Sequence, residues 1–442
     1  MRQKIAVIGA GISGMSAAWL LSQRHDVTVF ERAGRLGGHS NTVKVDWPDG
    51  RATHVDTGFI VYNELNYPNL TALFAHFGVA TRKAEMDFAV SLNGGQMEYG
   101  SARPTAVFAQ KRNLLRPRFW AMLRDLVRFY RDAPEDAALH GEAMVSIGEY
   151  LKSGGYCSAF LDDHLLPQAA AIWSASVGSI AEYPAAALVR FFENHGLLKL
   201  SGRPQWRTVE GGSVNYVGKL TGSYADSVRL GCGARRVIRQ AGGVLVEDDA
   251  GGINRFDQVL IAAHADQALA MLGDPSEAER RLLSAFRYSQ SPAVLHTDVA
   301  LMPQRQAAWS SWNYIGERGD IAGGCVTYWM NRLQGLKTPQ PLFVTLNPHQ
   351  APDQSKVLKV ETYDHPLFDA PAIVAQRQLW SLQGERRTWF CGSYFGSGFH
   401  EDGLQSGLAC AEAMGGARRP WSVPNESGRI YLTPGPAVEL AA

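Results

Sequence analysis

Lys4-Ile5-Ala6-Val7-Ile8-Gly9-Ala10-Gly11-Ile12-Ser13-Gly14 stands almost at the start of the chain and decides its architecture. The aliphatic run up to Ile8 predicts a strand buried on both faces, and Met15 to Ser22 predicts the helix that follows. Between them each glycine has a mechanical reason. Gly9 permits a tight turn, Gly11 lets backbone approach a pyrophosphate, and Gly14 lets the helix pack close to the strand. The helix start at Ile12 and Ser13 offers free N–H groups and a positive dipole end to phosphates. A second strand, Val27 to Phe30, ends in Glu31. That carboxylate can accept hydrogen bonds from a ribose diol, and it lies close to the expected ~20 residues beyond the first glycine. A glycine turn without a ligand is the bland alternative. The ordered set of strand, glycines, helix, strand and acid favours a dinucleotide.

Composition bounds the rest. At 442 residues the chain is about three times the ~150 of a typical domain, so two or three domains are expected. Forty-five per cent of residues are apolar and 19% charged, which excludes a disordered chain. Forty-three Lys and Arg against 42 Asp and Glu leave a net charge of +1, so no nucleic-acid partner driven by phosphate neutralisation is expected. The five cysteines form no C-x-x-C pair, which argues against a disulfide framework or a structural zinc site and for a reducing cytoplasm. Residues 1–21 imitate a secretory signal, two basic residues before an apolar run. The regularly placed glycines and the lack of a cleavage site make folded structure the expectation. No run of eighteen apolar residues exists to span a membrane.

Just beyond Glu31 come Arg32-Ala33-Gly34-Arg35-Leu36-Gly37-Gly38 and then Asp56-Thr57-Gly58. This set resembles the flavin-containing amine oxidase superfamily, in which the strand-end acid is followed by an R-x-G-G element. The resemblance implies that Arg35, Gly37 and Gly38 lie along the pyrophosphate and ribityl chain of FAD, with Arg32, Thr57 and Gly58 among the cofactor contacts. The superfamily's usual next arginine is His39 here, read either as a phosphate or flavin neighbour or as a plain loop histidine. Gly211-Gly212-Ser213 with Tyr216 and Leu220 looks like the glycine pair opening a second cofactor segment, and Val237 stands where relatives touch adenine through backbone. Val259 to His264 matches a later strand, with His264 in place of a proline-containing turn. Trp389-Phe390-Cys391-Gly392-Ser393 and Gly398 to Gly407 look like the C-terminal FAD motif. Its helix is expected to begin near Gly403-Leu404-Gln405 and to aim N–H groups at the edge of the isoalloxazine that gains charge on reduction. The covalent-flavin cysteine of some relatives would fall near Ser393 or Tyr394, neither of which forms a thioether, so noncovalent FAD is expected.

The implied fold class is α/β. A discontinuous Rossmann-type FAD-binding domain (1–70, 205–270, 385–420) would carry an inserted, amine-oxidase-like substrate domain of mixed sheet and helices (71–204, 271–384). Residues 105–200 read as mostly helical and 421–442 as an irregular tail. The pairs Gly94-Gly95, Gly242-Gly243 and Gly251-Gly252 read as hairpin turns. With no second G-x-G-x-x-G, a built-in nicotinamide domain is disfavoured. A helix from Pro117 sets Arg124, Arg128 and Arg131 on one face beside Trp120, Leu123, Val127 and Tyr130. Seven basic residues and one acid, Asp125, fall between Lys111 and Arg131. Two readings stay open, a helix lying on anionic lipid headgroups and a lid with a solvated basic face. The aromatics from Trp309 to Phe399 are expected to be largely core, with those at Tyr394 to Phe399 lining an apolar tunnel.

Amine-oxidising relatives carry a lysine in the second substrate segment, whereas no lysine occurs here between Lys219 and Lys337. The stretches Val55 to Asn63, Ala171-Ile172-Trp173-Ser174-Ala175, Arg190 to Gly196 and Gly398 to Gly403 resemble a bacterial branch associated with cyclopropane-fatty-acid-synthase-like methyltransferases. That resemblance implies desaturation of a methylated or cyclopropane-related fatty acyl chain, as in furan fatty acid formation, by hydride transfer to flavin N5. A fatty acyl or phospholipid substrate, a lipid methyltransferase partner and peripheral placement on the inner face of the membrane go with it. His400 and Glu401 are the first acid–base candidates, followed by Tyr62, Asn63, Asn194 and His195. Amine or porphyrinogen oxidation, double-bond isomerisation and a non-catalytic flavoprotein are the alternatives.

Overall fold

The opening strand, Lys4–Ile8, lies at the centre of a five-stranded sheet ordered Val228–Leu230, Asp26–Glu31, Lys4–Ile8, Gln258–Ile261 and Thr388–Phe390. Every pairing in it is parallel. Ile5, Ala6, Val7 and Ile8 are buried because helices or a second sheet cover both faces. The computed structural model describes residues 1–139, 145–173, 177–319 and 324–433, and three distant stretches of that chain build this one sheet.

The helix Ile12–Ser22 is buried along almost its whole length because His400–Ala413 packs across it. Small residues make the crossing close. A Cβ at Gly403 would lie 2.8 Å from Ser13 Oγ, and one at Gly407 would collide with the Ser13 carbonyl. On the other side of the sheet stands an antiparallel ribbon of Ala234–Gln240, Gly243–Asp248 and Ile253–Phe256. Gly242-Gly243 and Gly251-Gly252 sit at its two turns.

A second, seven-stranded sheet is mixed. Only Phe88–Leu92 and Trp312–Gly316 run parallel in it; Val357–Leu367, Arg287–His296, Phe343–Leu346, Cys325–Trp329 and Met97–Gly100 pair antiparallel. Helices cover it, including Pro117–Leu139, Leu166–Trp173 and Ala185–Asn194. Ser174 and Ala175, and tail residues 434–442, lie outside the described residues. Among the described residues no helix is long and apolar enough to cross a membrane.

Two details depart from the sequence expectation. The last helix starts at His400, three residues before Gly403, because Asp402 accepts the Phe399 N–H at 2.8 Å and closes the first turn. The basic helix is also less basic than its sequence. Arg118 meets Asp162 and buried Asp163, Arg124 meets Asp125, and Arg131 meets Asp132, just past the counted stretch. Arg128 lies 3.7 Å over the Tyr156 ring and donates to the Gly154 carbonyl. Each arginine of that face therefore has a partner within the protein, although Arg124 and Arg131 stay exposed to solvent.

Candidate cofactor and substrate site

Gly9 adopts φ +101°, which L side chains disfavour, and a Cβ there would stand 2.6 Å from the Ala262 carbonyl oxygen. A Cβ at Gly14 would collide with the Gly9 carbonyl. Gly11 is different: nothing lies within 4 Å of where its side chain would be. The turn is closed at both ends and open in the middle. Glu31 sits at its rim, accepting the N–H groups of Ala10 and Ala33 at 2.8 Å each.

The R-x-G-G element lies directly on this turn. Gly37 N–H donates to the Ala10 carbonyl at 2.9 Å, and a Cβ at Gly38 would come within 3.0 Å of Gly11 Cα. Arg35 Nη1 donates to the Gly38 carbonyl at 2.8 Å. Phe59 N–H bonds the His39 carbonyl at 2.7 Å, and a side chain at Gly58 would collide with that same carbonyl. Thr57 is tied by its N–H to the Asn41 carbonyl at 2.9 Å and by its hydroxyl to Tyr363 at 2.7 Å. Arg32 is exposed beside Gly233. Val237 is buried in its strand with its carbonyl accepting Gly273 N–H at 2.9 Å. Gly392 N–H donates to Ser406 Oγ at 3.0 Å, Ser393 opens the short turn after it, and Gly403 and Leu404 face the first helix from the last.

Four imidazoles from four segments meet near this cradle: His39, His264, His365 and His400. The His39 and His365 rings are 5.5 Å apart. Burial lowers all four, with mutual repulsion adding to it at His39 and His365. His365 falls to about 4 and His400 to about 3. All are neutral near pH 7. The Nδ1 atoms of His264 and His365 are buried without a hydrogen-bond partner, a costly state that a polar ligand would relieve. A turn with room only at Gly11, a rim carboxylate and unpartnered imidazole nitrogens fit a bound dinucleotide. Among the described residues no group of His, Cys, Asp and Glu is spaced to hold a metal.

His400 leads from cradle to substrate side. Its ring stacks on Phe59 at 3.9 Å, and its Nε2 meets Tyr216 Oη at 2.6 Å and Ser40 Oγ at 3.3 Å. Ser40 and Tyr216 hydrogen-bond to each other, closing a triangle. The preceding residue, Phe399, joins an aromatic cluster with Phe191 at 4.7 Å, His195 at 5.7 Å and Trp173 at 6.5 Å. His195 stacks on Phe191 at 3.9 Å and bonds its carbonyl through Nδ1 at 2.9 Å; its Nε2 has no partner, and burial lowers it to about 3. Tyr62 packs its ring against Tyr67 and Phe74.

Glu401 is tightly held by its surroundings. Its carboxylate accepts from Asn69 N at 3.0 Å, Asn69 Nδ2 at 2.8 Å, Leu70 N at 3.0 Å and Gln405 Nε2 at 3.0 Å. It caps the helix Pro68–His76 from a distant part of the chain, and proton exchange there would break four bonds. Asp402 is likewise engaged, by Arg429 at 3.2 Å and the Phe399 N–H. Of the late aromatics, Phe390, Tyr394 and Phe395 are fully buried packing, whereas Phe399 meets Trp173, Phe191 and His195 from the helical region.

Sequence reasoning passed over Asp56 as a hub. It accepts Thr42 Oγ1 at 2.5 Å, Ser213 N at 2.9 Å, Ser213 Oγ at 2.8 Å and Gln334 Nε2 at 3.0 Å, joining four segments. Burial raises it to about 6. Its place in Asp56-Thr57-Gly58, with a Gly-Gly-Ser turn far along the chain, was the available signal.

The sequence profile of the family described as flavin containing amine oxidoreductase matches residues 12–332. A 4,4'-diapophytoene desaturase of Staphylococcus aureus is 52% identical over 44 residues, 10% of this chain and 9% of that one, so the chain matches only a small fraction of this relative's length. A putrescine oxidase bound to putrescine superposes with a TM-score of 0.63 at 14% identity, covering 94% of this chain and 99% of that one. A CLA-producing fatty acid isomerase from P. acnes gives 0.60 at 16% identity, covering 93% and 98%. With a matched profile over most of its length, a glycine cradle built for a dinucleotide and this shared fold, the chain belongs to the flavin-containing amine oxidoreductase family and is an FAD-dependent oxidoreductase.

Proposed function

We propose that this protein dehydrogenates an allylic position of a methylated, mono-unsaturated fatty acyl chain. FAD, when bound, supplies the electron acceptor. The residues around it must bind and orient the chain and exclude water. The observation carrying the proposal is the character of the cluster at Phe399. Its rings are aromatic, and the two acids beside it, Glu401 and Asp402, are already satisfied by donors. An ammonium entering there would find no free carboxylate, and burying it unpaired is costly. An acyl chain needs only apolar contact, and an allylic C–H is the best hydride donor such a chain presents, since the charge left behind is delocalised.

The missing lysine between Lys219 and Lys337 points the same way, as do the words desaturase and fatty acid isomerase in the names of similar proteins. His400, held neutral by burial, stores no proton at pH 7. Within the triangle with Tyr216 and Ser40 it positions Phe59 and Phe399 and can relay a proton between hydroxyls. His195 Nε2, its other nitrogen committed to the Phe191 carbonyl, is the free acceptor in the cluster.

Lipid would be reached through the start of the basic helix. Leu115 is 86% and Trp120 48% exposed, with exposed Lys111 and Arg112 beside them, a cationic rim around apolar side chains that suits an anionic bilayer. A lipid methyltransferase is the class of enzyme that would supply such a substrate. Incubating the protein with phospholipid carrying a methylated vaccenoyl-type chain, followed by mass spectrometry, tests the reading. Loss of two hydrogens is expected. Unchanged mass with a moved double bond would replace it by isomerisation, and untouched lipid alongside consumed diamine would replace it by amine oxidation.

A further inference from the structure

We propose that His39, His264 and His365 together hold the diphosphate of FAD, in place of an arginine, and take up a proton from solvent as the cofactor binds. The inference concerns cofactor retention and stands independently of which substrate is oxidised.

Three segments carry these rings to one spot. His39 directly follows Gly38, whose backbone lies against Gly11. His264 follows Ala262 and Ala263, and the Ala262 carbonyl is the group that closes on Gly9. His365 comes from the long strand Val357–Leu367, where its neighbour Tyr363 is bonded to Asn41 and Thr57 of the same loops, and its ring stands 5.5 Å from that of His39. The three imidazoles thus gather on segments that pack beside the turn, where a dinucleotide places two negative charges. The buried, unpartnered Nδ1 atoms of His264 and His365 mark unmet hydrogen-bonding capacity there.

The other charges facing the cluster are few. Arg35 commits Nη1 to the Gly38 carbonyl, and Arg32 is out in solvent. On the strand bearing His365, Asp364 lies 4.0 Å from His264 Nδ1. Asp266 follows on the His264 side, and Glu31 is tied to backbone at the rim. Tyr288, stacked on His264, and Tyr363 are both pushed up by burial and stay neutral through the range of interest. Burial, joined at His39 and His365 by repulsion from neighbouring imidazoles, keeps the rings unprotonated in the absence of a facing anion. A diphosphate reverses that balance, because an opposite charge within a few ångströms favours the protonated ring.

The test uses holoenzyme equilibrated from pH 6 to pH 9, with released FAD read by its fluorescence after ultrafiltration. Each proton bound with the cofactor makes Kd rise by up to about tenfold per pH unit. A rise of about three- to tenfold per unit is expected from pH 6 upward, levelling off above the pKa the rings reach with the diphosphate bound. H264Q and H365Q should bind FAD about tenfold more weakly at pH 6, with a flattened profile. H39R should keep FAD at every pH with a profile flatter than the parent, and answers the question even if the glutamine variants do not fold. H54Q, at an exposed histidine on the strand Ala52–Asp56 that pairs with Thr42–Asp46, should leave the profile unchanged. A parent Kd that is flat from pH 6 to pH 9, or a slope that H39R leaves intact, would overturn the proposal.

Discussion

The two halves of this molecule specify their sites by different means. The cofactor half uses backbone: a turn at Gly9–Gly14, a loop at Gly37–Gly38 and a helix crossing at Gly403 and Gly407 that touch one another through main-chain atoms. The substrate half uses side chains from remote elements, with Phe399 meeting Trp173, Phe191 and His195 across a helix–sheet boundary. Where backbone packs on backbone, as at Gly9, Gly14 and Gly37, no carbon can be added, but any sequence that keeps the glycines is accepted. Side-chain sites tolerate exchange and change what they accept. The first half therefore fits the cofactor, and in the second an exchange of side chains would change what can bind.

The sharpest way to break the comparison is at the glycines. G14V should abolish folded, FAD-bearing protein, because its side chain would collide with the Gly9 carbonyl. G11V should leave the fold cooperative by circular dichroism yet bind no FAD, since its side chain would enter the only open position of the turn. A G11V protein that retains yellow cofactor would remove the cradle from the account.

Acid should affect both halves through their buried histidines. His164, His296 and His365 are lowered to about 4, and His195 and His400 to about 3. A histidine whose folded pKa lies below its unfolded ~6.5 contributes stability that is complete above that value and is lost as pH falls toward the folded value. Each such group withdraws about 1.4 kcal/mol per pH unit in that window. Asp56, raised to about 6, acts in the opposite sense, adding stability as pH falls from there toward ~4. Asp162, Glu401 and Asp402 are raised by burial as well. The lowered imidazoles, with His39, His264 and His349 among them, outnumber these carboxylates, which predicts a melting temperature that drops steadily between pH 6.5 and pH 4.5. H195F should flatten that drop, and an unchanged slope would show that His195 is not buried neutral.

Asp56 joins the halves, so D56A should strand the N–H and hydroxyl groups of Ser213 and the amide of Gln334. It should cost on the order of 3 kcal/mol, read by urea denaturation. D56N, which keeps the shape and part of the acceptor capacity, should cost less. The smallest effect on stability is expected at the surface. L115E with W120E should change unfolding free energy by under about 0.5 kcal/mol while reducing sedimentation with anionic vesicles. Equal vesicle binding by this variant would detach the basic helix from lipid.

The cofactor half was legible in sequence for the same reason that it is fragile. Its chemistry is backbone geometry, and Gly9, Gly11, Gly14, Gly37 and Gly38 announce that geometry by position alone. The substrate half was legible only as helix and mixed sheet. The spatial pairing of Phe399 with Phe191, or of Asp56 with Gln334, follows from packing over long sequence separations that no local pattern encodes. Glu401 shows the hazard. Beside a flavin motif it reads as an acid catalyst, and only its Asn69, Leu70 and Gln405 partners reveal a helix cap. The basic helix shows the converse, because charge counted along a sequence cannot see Asp163 arriving from a neighbouring element.

Anaerobic titration of the holoenzyme tests the central claim most directly, with flavin absorbance followed as a methylated mono-unsaturated acyl lipid or a diamine is added. Bleaching by the lipid and none by the diamine is the predicted result. Bleaching by the diamine alone would contradict it.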